Sequence, residues 1–157
     1  MTITLLAIGK TDQSHLETLI DIYSKRLQHY IRFNFEVIPD VKRGKKIEES
    51  QQKEKEGTLI LSKINTADTV VLLDEKGKSY SSIQFSDQLQ KYMNRGIKKV
   101  VFVIGGPYGF SEAMYQRANA RLSLSAMTFS HQMIRLFFIE QLYRGFTILK
   151  NEPYHHQ

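Results

Sequence analysis

Three segments of this 157-residue chain gather residues with chemical capacity. The first is LDEKGKS, Leu73 to Ser79. Its Gly77-Lys78-Ser79 imitates the close of a phosphate-binding P-loop, but that motif needs a glycine where Leu72 stands, so a triphosphate cradle is excluded. A polar turn with Gly77 at positive φ is the expectation. The second is IGGPYGF, Ile104 to Phe110. Paired glycines let a ligand approach the backbone closely, Pro107 stiffens the turn and Gly109 gives it a second flexible point. The same residues also make a plain turn, and they lack dinucleotide-binding spacing. The third is LSLSAMTFSH, Leu122 to His131. Its small hydroxyls suit either a ligand or their own backbone. His131 can carry a proton at neutral pH. It stands in a stretch from Ala113 to Ile139 that contains no acid but includes Arg117, Arg121 and Arg135, a pattern suited to a polyanion.

These segments need elements to hold them. Ile3–Ile8 reads as a buried strand, and Leu16, Leu19, Ile20, Tyr23 and Leu27 fall on one helical face. Phe33–Ile38 alternates as a second strand. The polar stretch 40–56 reads as a loop and the exposed start of a weakly held helix. Thr69–Leu73 is a third strand. A helix capped at Ser81 or Ser82 runs to about Asn94 and ends at Gly96. Lys99–Ile104 is a fourth strand, followed by a short helix from Ser111 to about Ala118 and a short strand at Leu122–Ser125. A long apolar helix runs from about His131 to Leu149. Alternation of this kind predicts a single α/β domain with a mostly parallel sheet flanked by helices. In such sheets ligands sit beyond the carboxyl ends of the strands, which selects the segments after Leu73, Ile104 and Ser125.

Composition narrows the chemistry. The chain has no cysteine, so thiol nucleophiles, disulfides and cysteine-ligated metals are excluded. No secretory leader is visible in MTITLLAIGK, and no run of apolar residues is long enough to span a membrane, so a cytoplasmic protein is expected. Lys and Arg total 22 against 16 Asp and Glu, a net +6 that favours an anionic partner. Lys42, Arg43, Lys45 and Lys46 cluster around Gly44. There is no tryptophan and no basic strand rich in aromatics on which single-stranded bases could stack. The terminal NEPYHHQ, with Pro153 and Tyr154, is expected to dock on the surface.

IGGPYGF, LSLSAMTFSHQMIR, IEQLYRGFTI and the terminal NEPYH, in that order, with VKRGK and LLDEKGK before them, resemble one family along the whole chain. It is the bacterial SPOUT-class 23S ribosomal RNA methyltransferases that modify N3 of a pseudouridine. The resemblance implies one SPOUT domain over 1–157, with a cofactor-binding trefoil knot in roughly 69–157. It implies S-adenosyl-L-methionine as cofactor, a homodimer, 23S ribosomal RNA within the ribosome as partner, and no metal. Matched position by position, the cofactor contacts fall on Leu73, Gly105, Leu124, Ser125, Ala126, Met127, Thr128 and Phe129. His131 is expected to handle the proton, with Arg135, Tyr154 and His155 orienting RNA. The rival readings are a knotted methyltransferase acting on transfer RNA and a non-catalytic ribosome-binding protein.

Overall fold

The computed structural model describes residues 1–40 and 48–156. The basic cluster Lys42, Arg43, Lys45 and Lys46 lies outside the described residues. Five strands, β1 (Thr2–Ile8), β2 (Arg32–Ile38), β3 (Thr69–Ser79), β4 (Lys99–Ile104) and β5 (Ala120–Ser123), form one sheet in the order β2-β1-β4-β3-β5. Every pairing is parallel. The helices are α1 (Ser14–Leu27), α2 (Glu49–Leu61), α3 (Ser82–Asn94), α4 (Glu112–Arg117) and α5 (Met133–Leu149).

A parallel sheet needs cover on both faces, and the strand alternation divides its side chains between two cores. Ile3, Leu5, Val71, Val100, Phe102 and Ile104 pack with Ile20 and Leu27 of α1, Phe85 and Leu89 of α3, and Phe138, Ile139, Leu142 and Phe146 of α5. Leu6, Ile8, Val70, Leu72, Val101 and Val103 pack with Ile60 of α2 and Met114 of α4 on the other face. Phe138, Ile139, Leu142 and Phe146 are therefore core residues of the domain itself. Ser81 caps α3 in a reciprocal box with Gln84, and Gly96 follows the helix at φ +70°.

Four local expectations are corrected. The expected helix start is present from Glu49, with Glu49, Ser50, Gln51, Glu54 and Lys55 exposed, but Gln52 and Glu56 are buried, Glu56 against Gly106 of the loop after β4. The polar sequence misled because Gln52 Nε2 donates to Glu56 Oε1 at 2.9 Å, so part of their hydrogen-bonding capacity is met within the helix. β5 begins at Ala120, two residues before the expected strand start, where Asn119 N–H donates to the Val70 carbonyl at 2.8 Å. β3 does not end at Leu73. It leaves the ladder there and rejoins it at Lys78, both positions facing Leu122, so Asp74 to Gly77 bulge outward. Gly77 has no positive φ. It is glycine for a steric reason: a Cβ there would lie 2.6 Å from the Leu122 backbone.

Candidate active site

The bulge of β3 lies beside the carboxyl ends of β4 and β5 in the sheet, and together with the segments leaving β4 and β5 it encloses a cleft of ≈ 1030 Å³. Leu73, Gly105, Leu124, Ser125, Met127, Thr128, Phe129 and His131 all line it. Ala126 lies in the same loop but not on the wall. The cleft's size and its mix of apolar wall and backbone polar groups suit a small organic ligand of nucleoside dimensions.

Each wall has a local cause. After β4, Gly105 and Gly106 carry the chain into a tight turn in which Gly109 N–H donates to the Gly106 carbonyl at 3.1 Å, with Gly109 at φ +79°. A Cβ on Gly105 would lie 3.1 Å from the Phe110 ring. After β5, Ser123 Oγ donates to the Ser125 carbonyl at 3.0 Å, and Ser125 Oγ accepts from Met127 N–H at 2.9 Å. These hydroxyls thus shape their own loop. Ser130 Oγ accepts from Met133 N–H at 3.1 Å, which starts α5 and leaves His131 exposed at the cleft. On the β3 bulge, Asp74 Oδ2 accepts from the Tyr115 hydroxyl at 2.6 Å. Burial and then that carboxylate push the Tyr115 phenol up to about 12.

Arg135 is not at the cleft wall. It is fully buried, donating from Nη2 to the Ile8 carbonyl at 2.7 Å, from Nη1 to Thr11 Oγ1 at 3.1 Å and from Nε to the His131 carbonyl at 3.0 Å. Its place corrects the expectation of an RNA contact, because the side chain has no exposed surface and its guanidinium is bonded to three acceptors inside the fold. Gln132 adds to the same tie, donating to the Lys10 carbonyl at 2.9 Å. The loop after β1 is thereby fastened to the start of α5.

The tail docks, as expected, along α5 and α1. Tyr154 donates to Glu140 at 2.9 Å and its ring meets Tyr143 edge-on at 4.7 Å. His155 Nδ1 lies 3.4 Å from Arg144. Neither tail residue reaches the cleft of its own chain; Glu140, which anchors Tyr154, is about 10 Å along α5 from Met133, and Arg144, which meets His155, is a further turn along. Here the fold assembles what no single strand holds: Tyr23, Tyr143 and Tyr154 beside Arg26 and Arg144. Those rings are occupied, however, with Arg26 over Tyr23 at 5.2 Å and Arg144 over Tyr154 at 4.7 Å.

The first turn of α2 also reaches the cleft, through Glu49, Ser50 and Lys53, and so do Asp74 and Tyr115. Composition alone does not single out these polar residues. The available signal was Gly57, a glycine inside a helix, which marks close packing where a side chain would not fit. Its Cβ would stand 2.3 Å from Ser111 Oγ.

Among the described residues no group of three or more His, Asp or Glu is placed to hold a metal, and no helix is long and apolar enough to cross a membrane.

A family model described as "Predicted SPOUT methyltransferase" matches residues 1–155. The ribosomal RNA large subunit methyltransferase H of Flavobacterium johnsoniae is 67% identical over 157 residues, covering all of both chains. The protein of the same name from Parabacteroides distasonis is 59% identical over the same full length. Among solved structures, a probable methylase family protein from Haemophilus influenzae aligns over 99% of this chain and 70% of its own, with a TM-score of 0.53 at 12% identity. That likeness is one of fold.

Proposed function

The chain belongs to the SPOUT methyltransferase family, and on that premise we propose that it methylates N3 of a pseudouridine in 23S ribosomal RNA, using S-adenosylmethionine. The observation that carries the reading is the convergence of Leu73, Gly105 and the 124–129 loop on one cleft. When bound there, the cofactor supplies an electrophilic methyl group on a sulfonium.

The chain's own part is positioning and proton handling. Backbone groups of Gly105 and residues 124–129 hold the adenine edge. Leu73, Leu124, Met127 and Phe129 form its apolar wall, and the hydroxyls of Ser125 and Thr128 fix the loop and its rim. Ala126 keeps that loop small. His131, exposed at the cleft, takes the N3 proton of the base. Arg135 acts through His131, holding its carbonyl and so the direction from which the imidazole enters. Tyr154 and His155 lie too far along α5 for proton transfer within one chain and serve RNA contact.

Three further features belong to this reading. The family's cofactor-binding trefoil knot lies in roughly the second half of the chain, from about residue 69 onward. The protein is a homodimer in the cytoplasm. Met127, 76% exposed, and the partly exposed Phe129, Met133 and Phe137 make an apolar patch continuous with the cleft, and a second copy covers it. The substrate is an assembled ribosomal particle. With the tyrosine faces already covered by arginines, the chain's remaining grip on RNA is electrostatic and does not read sequence. Surrounding ribosomal surface must therefore supply the shape.

The test is tritiated methyl incorporation into purified ribosomes and into an isolated stem-loop bearing the same pseudouridine, at equal salt. Incorporation on ribosomes alone is expected, mapping to one pseudouridine that is unmodified in cells lacking the gene. Equal rates on the stem-loop would overturn the ribosomal requirement. A methylated transfer RNA would overturn the substrate.

A further inference from the structure

Glu56 is a buried carboxylate with unfinished bonding. It is 3% exposed on α2. Gln52 Nε2 donates to its Oε1 at 2.9 Å, while Oε2 has no hydrogen-bond partner among the described residues. A half-satisfied buried carboxylate weakens the fold, and an apolar side chain of similar volume would be the more stable choice. Stability therefore does not account for it.

Its neighbour does. The carboxylate is pressed against Gly106, where a Cβ would stand 2.2 Å from Oε2 and 2.8 Å from Oε1. The next residue, Gly57, is pressed equally hard against Ser111, the N-cap of α4. Two consecutive positions of α2 thus back the two ends of the Gly106–Ser111 segment, while the first turn of the same helix lines the cleft. Among the described residues, Glu56 Oε2 is a buried side-chain acceptor left without a partner at this contact, and the groups above it are the backbone of a glycine turn.

We propose that Glu56 is a positioning residue for cofactor binding. Its free oxygen accepts a backbone N–H of the Gly106–Gly109 turn when that turn closes on S-adenosylmethionine, which fixes the Gly105 backbone at the ligand. The proposal rests on the reading of the cleft as the cofactor site. A hydrogen bond to a charged acceptor, made only in the bound state, adds to affinity at the expense of the free protein's stability.

The experiment compares wild type, Glu56→Met and Glu56→Gln. Each is titrated with S-adenosylmethionine by calorimetry, melted without ligand, and followed by hydrogen exchange of the 104–110 amides with and without ligand. Glu56→Met is expected to melt no lower than wild type yet bind about tenfold more weakly. Glu56→Gln, which keeps a neutral acceptor, should fall between. In both, the cofactor's slowing of exchange at 104–110 should shrink while the rest of the chain is unchanged. Wild-type affinity in Glu56→Met, or an affinity loss that merely tracks a lowered melting point, would overturn the proposal; should Glu56→Met not fold, the same two outcomes are read from Glu56→Gln. Failure of the wild type to bind would instead sink the cofactor reading, and this proposal with it.

Discussion

Arg135 and Ile8 stand 127 positions apart, and the arginine Nη2 donates to the Ile8 carbonyl at 2.7 Å. The guanidinium has no exposed surface and pays for its burial with three protein acceptors, one of them the carbonyl of His131. Burial lowers its pKa, and the nearby Asp12 and Asp40 carboxylates oppose that shift; a guanidinium keeps its charge in proteins.

Replacing Arg135 with Met should therefore act on the fold first. The variant leaves buried acceptors unpaired, a loss of about 2–4 kcal/mol, and for a domain of this size the melting temperature should drop by roughly 5–15 °C. Arg135→Lys should rescue little, because one ammonium cannot reach acceptors arranged for a planar fork. A melt within 2 °C of wild type would show that the ties are dispensable.

Gly105→Val and Gly77→Val separate ligand space from fold space. The Cβ on Gly105 meets the side chain of Phe110, which can yield by a few tenths of an ångström. That variant should stay folded by circular dichroism while calorimetry finds no S-adenosylmethionine binding. The Cβ on Gly77 meets backbone of Leu122 and Arg121 at 2.6–2.7 Å, which cannot yield without parting β5 from β3. It should express poorly or melt well below wild type. Unchanged affinity in Gly105→Val would remove this loop from the site.

His131→Ala should lower methyl transfer by about 10²–10⁴-fold, the usual weight of a proton-transfer group, with cofactor affinity within twofold of wild type. His155→Ala should instead raise the ribosome concentration needed for half-maximal rate. Loss of cofactor binding in either variant would assign it a structural role.

Phe137→Glu places a charge in the exposed apolar patch between Phe129, whose ring is 4.9 Å away, and the neighbouring turn of α5. Light scattering at micromolar concentration should give a dimer for wild type and a monomer for the variant. A monomeric wild type would refute the interface.

The Tyr115 phenol is pushed up to about 12 in the folded chain from its ordinary value of 10.0. The folded state holds that proton more tightly, so the hydroxyl's contribution is intact below pH 10 and is lost as pH rises from 10 to 12. Tyr115→Phe should be less stable than wild type at pH 8, where the bond to Asp74 is missing, and the gap should close toward pH 12. Urea midpoints at four pH values across this range would decide it; a gap that widens with pH would contradict the assignment.

Much of the architecture could be read from residue order. Unbroken, β-branched apolar runs such as Val100–Ile104 read as buried strands, and spacings of three and four in α1 read as a helix covering one face of them. Ser81, Gly96 and Ser111 marked their helix ends because capping is a local interaction between residues three positions apart. The strand ends that carry the cleft were legible for the same reason: parallel topology confines ligands to one edge. What sequence could not supply were relationships across long separations. Arg135 looked like a surface cation until Ile8 and Thr11 closed over it. Gly77 looked like a turn, but its meaning came from the Leu122 backbone, which packs where a side chain would go. Gln52 and Glu56 looked as solvated as the rest of their helical start, because their burial depends on the distant turn at Gly106 packing against Glu56. Periodicity and capping act within a few residues, whereas burial of a charge is decided by which distant backbone atoms arrive to meet it.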